Sequence, residues 1–190
     1  MAATVSKQLT FNHTADELYP LVLEGVDFLQ HGAGVAGDTL TKVKLVLMEL
    51  LTNALKHSDG GKTEIELYLD PENITIKKND TGNPLVVYSG GIKHEWPLPG
   101  NHQAGRTVCV YSWNGCNLSI ALKNNCRAEF LVEETGPEQT DLLNLPEHFG
   151  LMIIARACSS FEYEFEIDTC KNEFTAVIPL AGSAINDKYD

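Results

Sequence analysis

Between Lys44 and Gly61 the chain reads KLVLMELLTNALKHSDGG, an apolar helical pattern into which polar residues are set at regular intervals. Leu, Val and Met recur at helical spacing, while Glu49, Asn53 and His57 stand four residues apart with Lys56 beside them. Positions i, i+4 and i+8 share one face of an α-helix. An unpartnered carboxylate or amide costs about 1–3 kcal/mol to bury. The stripe therefore faces water, as the wet side of an amphipathic helix does, or it faces something polar. Asn and Glu offer oxygens to a hard cation and Lys offers a point charge to phosphate, so a nucleotide with its metal ion would suit the second case.

The same kind of pattern predicts the neighbouring elements. The long helix opens at a cap on Asp38 or Thr39 and ends at Ser58-Asp59-Gly60-Gly61, where glycine allows a left-handed stop. Before it, residues 4–12 predict a short strand. Thr14 and Glu17 have capping-box spacing for a helix to about Gln30, with Pro20 delaying or kinking its first turn. HGAGVAGD, residues 31–38, lacks the Lys-Ser/Thr ending of a phosphate-binding P-loop and reads as a connector. TEIELYL (63–69) and NITIKKN (73–79) alternate with period two around a turn, which predicts an antiparallel hairpin. Its second strand delivers Asp80-Thr81-Gly82, a place where binding residues often sit, although Asp and Gly are also ordinary turn formers.

Residues 83–106 read as a long irregular loop, of the kind that is functional or mobile. Three strands follow as a meander, 107–112, 117–122 and 127–134, with turns at Trp113-Asn114-Gly115 and Lys123-Asn124-Asn125. A second loop covers 135–147. A short apolar helix is predicted over 149–160, then a hairpin of FEYEFEID and EFTAVIPL around Thr169 to Asn172, and a polar tail from Ala181. This order predicts an α+β sandwich, with helices packed on one face of a mixed or mostly antiparallel sheet. One domain spans 1–182 and residues 183–190 form the tail.

Composition narrows the class. With 190 residues and 43% hydrophobic content the chain suits one domain with a proper core. It has no apolar run approaching about 18 residues, and MAATVSKQLTFNH lacks the apolar centre of a signal peptide. The expectation is a cytoplasmic protein without a membrane span. Five cysteines, none in a C-x-x-C, fit neither a complete disulfide framework nor a zinc pattern, so reduced thiols are expected. The net charge of −12 repels nucleic acid and anionic lipid. It repels ATP as well, so a nucleotide site would need local help from residues such as Lys56. The six histidines show no familiar metal spacing. Trp96 and Trp113 read as packing residues, and Glu162, Glu164 and Glu166 as the wet face of a strand.

Three separated pieces, MELLTNALKH, IKKNDTG and HFGLMIIARACSSFEYEF followed by NEFTAVIPL, together resemble the GHKL, or Bergerat-fold, ATPase superfamily. That group includes histidine-kinase catalytic domains and anti-sigma-factor serine kinases. The first piece looks like its N box, the second like its Asp-x-Gly after a hairpin strand, and the third like its glycine–helix–hairpin ending. The resemblance runs nearly end to end, apart from a divergent lid region at 84–147. It implies a two-layer α/β sandwich of the histidine-kinase-like ATPase type.

The resemblance also implies roles. Asn53 would bind the Mg²⁺ that bridges the phosphates, and Glu49 would act as general base or assist the metal. Lys56 would meet a phosphate and His57 would lie near the purine. Asp80 would accept a hydrogen bond from the adenine amino group, and Gly82 would let the backbone approach the base. Gly150 would present backbone N–H groups to phosphate. The chain departs from the pattern at three places. Asn83-Pro84 follows Gly82 in place of a further glycine, His148-Phe149-Gly150 keeps one glycine, and Asn172 stands where Thr is common. Two readings follow. One is an ATP-binding kinase of the anti-sigma-factor type acting on serine or threonine of a partner protein. The alternative is a degenerate interaction module without ATP turnover, whose meander and acidic surface serve a protein partner. Either is compatible with a homodimer.

Overall fold

The structure, a computed structural model, describes residues 5–57, 61–100, 105–113, 115–136 and 149–180, with Trp113 described by its backbone alone. The expected positions at Ser58 to Gly60, Asn114, 137–148 and the tail from Ala181 lie outside the described residues. Strand β1 (Val5–Phe11) leads into two helices, α1 (Ala15–Ala33) and α2 (Asp38–His57). The hairpin β2 (Thr63–Leu69) and β3 (Asn73–Thr81) follows, then a small hairpin β4 (Val86–Ser89) and β5 (Ile92–Glu95). A meander β6 (Thr107–Trp113), β7 (Cys116–Leu122) and β8 (Arg127–Glu134) comes next. Helix α3 (Phe149–Ala157) and the hairpin β9 (Ser160–Glu166) and β10 (Lys171–Pro179) complete the order.

Eight strands form one sheet in the order β1-β2-β3-β10-β9-β8-β7-β6. Every ladder between described strands is antiparallel, so the architecture is α+β as expected, without the parallel pairing of a mixed sheet. Period-two alternation separates the two faces. Leu9, Phe11, Ile65, Leu67, Ile74 and Ile76 are buried, and the inner face continues through Ala176, Phe161, Phe130 and Ile120. The opposite face carries Glu64, Glu66, Lys77, Glu162, Glu164 and Glu173, all exposed or half-buried. Phe161 stacks on Phe130 at 4.5 Å and faces Phe174 at 6.0 Å, which joins the core across β8, β9 and β10.

Helix α1 runs through Pro20 and three residues past the expected end. Its stop is set by Gly34, which takes φ 70 and donates its N–H to Gln30 at 3.2 Å, while Val35 donates to Leu29 at 3.0 Å and is buried. That is the glycine-closed, apolar-capped helix end, and it falls at Gly34 because Gly32 remains helical. The expected capping box is not formed. Thr14 has the extended N-cap conformation but makes no side-chain cap bond, and the Glu17 carboxylate instead accepts from the Asn12 N–H at 3.0 Å.

The long loop expected at 83–106 contains the β4–β5 hairpin. Ser89 pairs with Ile92, leaving Gly90 and Gly91 as a two-residue turn with φ 55 and 80. Two successive positive φ values are what the tight hairpin turn requires. Trp96 is buried, as a packing residue should be. All five cysteines are free, and Cys109 and Cys116 oppose Ser119 and Trp113 rather than each other. Among the described residues no helix is long and apolar enough to cross a membrane.

Candidate functional site

Helix α2 buries Val46, Leu47, Leu50, Leu51 and Ala54 on one side. The polar stripe flanks that side. Glu49 and Asn53 are half-buried, whereas Lys56 and His57 in the last turn are exposed. The start of α3 packs against this flank. A side chain at Gly150 would run into the Glu49 carboxylate and would lie 3.8 Å from the Asn53 amide nitrogen. The carboxylate thus occupies the room that the missing side chain leaves free. Burial pushes the Glu49 pKa above the usual carboxylate value, and the nearby Lys56 charge offsets part of that rise.

A cavity of about 480 Å³ opens between the end of α2 and the adjoining ends of β3 and β10. Helix α2 contributes Asn53, Lys56 and His57 to its lining, and β3 contributes Lys78 and Asp80. Residues distant in sequence are brought together because the β2–β3 hairpin returns β3 to the centre of the sheet beneath α2. Asp80 stands opposite Asn172 in the β3–β10 ladder. The Lys78 ammonium donates to the Asp80 carboxylate, and the two side chains are only 5% and 8% exposed. The same ammonium lies 5.0 Å from the centre of the Phe174 ring.

Residues 83–86 and Tyr88 line another part of the cavity and are held by a polar chain. The Tyr163 hydroxyl donates to Asn172 Oδ1 at 2.6 Å and accepts from the Leu85 N–H at 2.9 Å. Asn172 Nδ2 donates to the Asn83 carbonyl at 3.2 Å. Burial pushes the Tyr163 phenol far above its ordinary value, so it remains a protonated donor.

Of the residues singled out from the sequence, Asn53, Lys56, His57 and Asp80 line the cavity together. Glu49 and Gly150 meet each other beside Asn53 but are not in the lining. Gly82 is not in the lining either. With φ 144 it donates its N–H to the Cys170 carbonyl at 3.2 Å, tying the end of β3 to the β9–β10 turn. Sequence reasoning missed Lys78. Its signal was present: Ile74, Ile76, Lys78 and Asp80 alternate onto one face, so a lysine must land on the apolar side.

Among the described residues no group of three or more His, Cys, Asp or Glu side chains is placed to hold a metal. Glu49 and Asn53, one helical turn apart, offer a carboxylate and an amide oxygen. That small hard-oxygen set suits Mg²⁺, which keeps several waters and takes its remaining ligands from phosphate. A second cavity of about 500 Å³ lies by β8 and the end of α3 and includes Arg156 and Cys158. Arg156 is bonded to Glu134 at 3.2 Å. Burial pushes the Cys158 thiol up to about 12, which leaves it a thiol and a poor nucleophile.

No known family model matches the chain, and no curated protein matches it.

Proposed function

We infer that the cavity at the end of α2 binds ATP with Mg²⁺ on a histidine-kinase-like, Bergerat-type fold. We further infer that the chain is a phosphotransfer protein of the anti-sigma-factor kinase type, acting on serine or threonine of a partner protein. The observation that carries this reading is the convergence of Asn53, Lys56, His57 and Asp80 on one cavity. Its volume lies within the range of small-molecule sites, about 300–1,000 Å³. Asp80 and Lys78 supply an acceptor and a donor for a base, and His57 supplies a ring that can stack on it. Asn53 would hold the metal, with Glu49 beside it as the base, and Lys56 would meet phosphate. Magnesium, when bound, neutralises charge on the phosphate oxygens. Glu49, whose pKa burial raises, would accept the proton of an attacking hydroxyl.

The binding-module reading rests on a different observation. Lys78 already partners Asp80, so the base-reading carboxylate is engaged without ligand. The two readings separate in one experiment. Calorimetric titration with MgATP is followed by single-turnover phosphate release, with and without candidate partners. ATP binding with turnover is the expected result. Glu49→Ala should then bind within a few-fold of the parent while turnover falls about 10²–10⁴-fold, the usual worth of a general base. Binding without turnover in the parent leaves the binding module. Absence of MgATP binding overturns the kinase reading and leaves the protein-interaction module.

A further inference from the structure

Lys78 occupies a position where the strand pattern calls for an apolar side chain. Across the ladders its neighbours are Ile65 on β2 and Phe174 on β10, and it is 4% exposed. Burying an ammonium in such surroundings is costly unless it is paired and hydrogen-bonded. Lys78 has the Asp80 carboxylate and the face of Phe174, yet it also lines the cavity. An ammonium carries three N–H donors and accepts nothing. Asp80, when ionised, only accepts. The cavity wall therefore offers a fixed acceptor directly beside a fixed donor. Its complement is a ligand edge with a hydrogen-bond donor next to an acceptor. A 6-aminopurine has that edge in its amino group and ring nitrogen N1.

We propose that Lys78 is a base-reading residue: its ammonium donates to ring nitrogen N1 of adenine while Asp80 accepts from the 6-amino group. The proposal rests on the ATP reading of this cavity. It gives the buried charge a use that packing alone does not. Lys78 supplies what a carboxylate alone cannot, a demand for an acceptor at the ring position next to the amino group. A site that hydrogen-bonds a ligand atom rejects the analogue lacking it, because the site's polar group is then left unpaired.

The test compares MgATP with its 1-deaza analogue, in which N1 is replaced by C–H, by calorimetry on the parent protein and on Lys78→Met. The parent should bind the analogue about tenfold more weakly or worse, the scale of one lost charge-assisted hydrogen bond. Lys78→Met should bind both nucleotides within about twofold of each other, as expected when the donor is gone. Because Lys78→Met leaves Asp80 buried without its cation, the double variant Lys78→Met with Asp80→Asn is measured beside it, with thermal melts of both. It should show the same loss of discrimination. Equal binding of the two nucleotides by the parent overturns the proposal without needing either variant to fold. So does parental discrimination persisting in Lys78→Met, and so does MgGTP binding the parent more tightly than MgATP. Failure of the parent to bind MgATP overturns the ATP reading itself, a different outcome from equal binding.

Discussion

Glu49 sits against the first turn of α3 in space that Gly150 leaves open, and burial there disfavours its charged form. Its folded pKa lies above its unfolded value. The stability linked to that shift is fully present below the unfolded pKa and is lost as pH rises through the raised folded pKa. At neutral pH the ionised carboxylate therefore weakens the fold. Glu49→Gln removes the charge and keeps the shape, so it should melt at a higher temperature than the parent at pH 7. The gap should close as pH falls to about 4, where both side chains are neutral. Thermal melts across that range check this, and a gap independent of pH would show that burial of the charge is not the cause. Phosphotransfer depending on Glu49 as base should rise with pH through the same raised pKa.

At the scale of elements, the approach of α1 to the sheet depends on Gly25. A side chain there would come within 3.0 Å of Leu47 on α2, 3.2 Å of Leu67 on β2 and 3.4 Å of Leu9 on β1. Replacing glycine by alanine in a helix interior gains about 1 kcal/mol of propensity. Two buried leucines from two elements, Leu47 and Leu67, must give by a few tenths of an ångström to admit the methyl while Leu9 already stands at contact distance, and overpacking of that kind costs about 1–3 kcal/mol. Gly25→Ala should therefore be destabilising by about 1 kcal/mol in urea unfolding. Gly32→Ala, on the same helix, meets only Phe28 at 3.6 Å, an ordinary contact, and should be stabilising by up to about 1 kcal/mol. Stabilisation by both would contradict the close approach of α1.

The long elements were legible in the sequence where one periodicity ran uninterrupted. Strand β2 matches over 63–69, and α2 keeps its polar stripe through His57. Other features hinged on single residues. The β4–β5 hairpin is hidden in the sequence because four-residue strands carry little alternation, and Gly90-Gly91 reads as loop where the chain makes a two-residue turn. The convergence of Asn53 with Asp80 followed from the helix-then-hairpin order. The Lys78–Asp80 pair is less legible, because it depends on the face on which each residue of IKKND falls and not on the acidic end of that run.

Across the whole molecule, the sheet divides an apolar side under the helices from a charged open side, and the cavity lies where the end of α2 meets β3 and β10. The net charge of −12 repels an anionic nucleotide at long range. Lys56 and Lys78 are the cations that the cavity sets against that field. A crystal structure grown with Mg²⁺ and a non-hydrolysable ATP analogue tests whether this cavity is an ATP site. The expected result is the base in the cavity, its amino group on Asp80 and its N1 on Lys78, with the metal at Asn53 and the phosphates toward Lys56. An analogue bound elsewhere on the chain, or an empty cavity at saturating nucleotide, would contradict it.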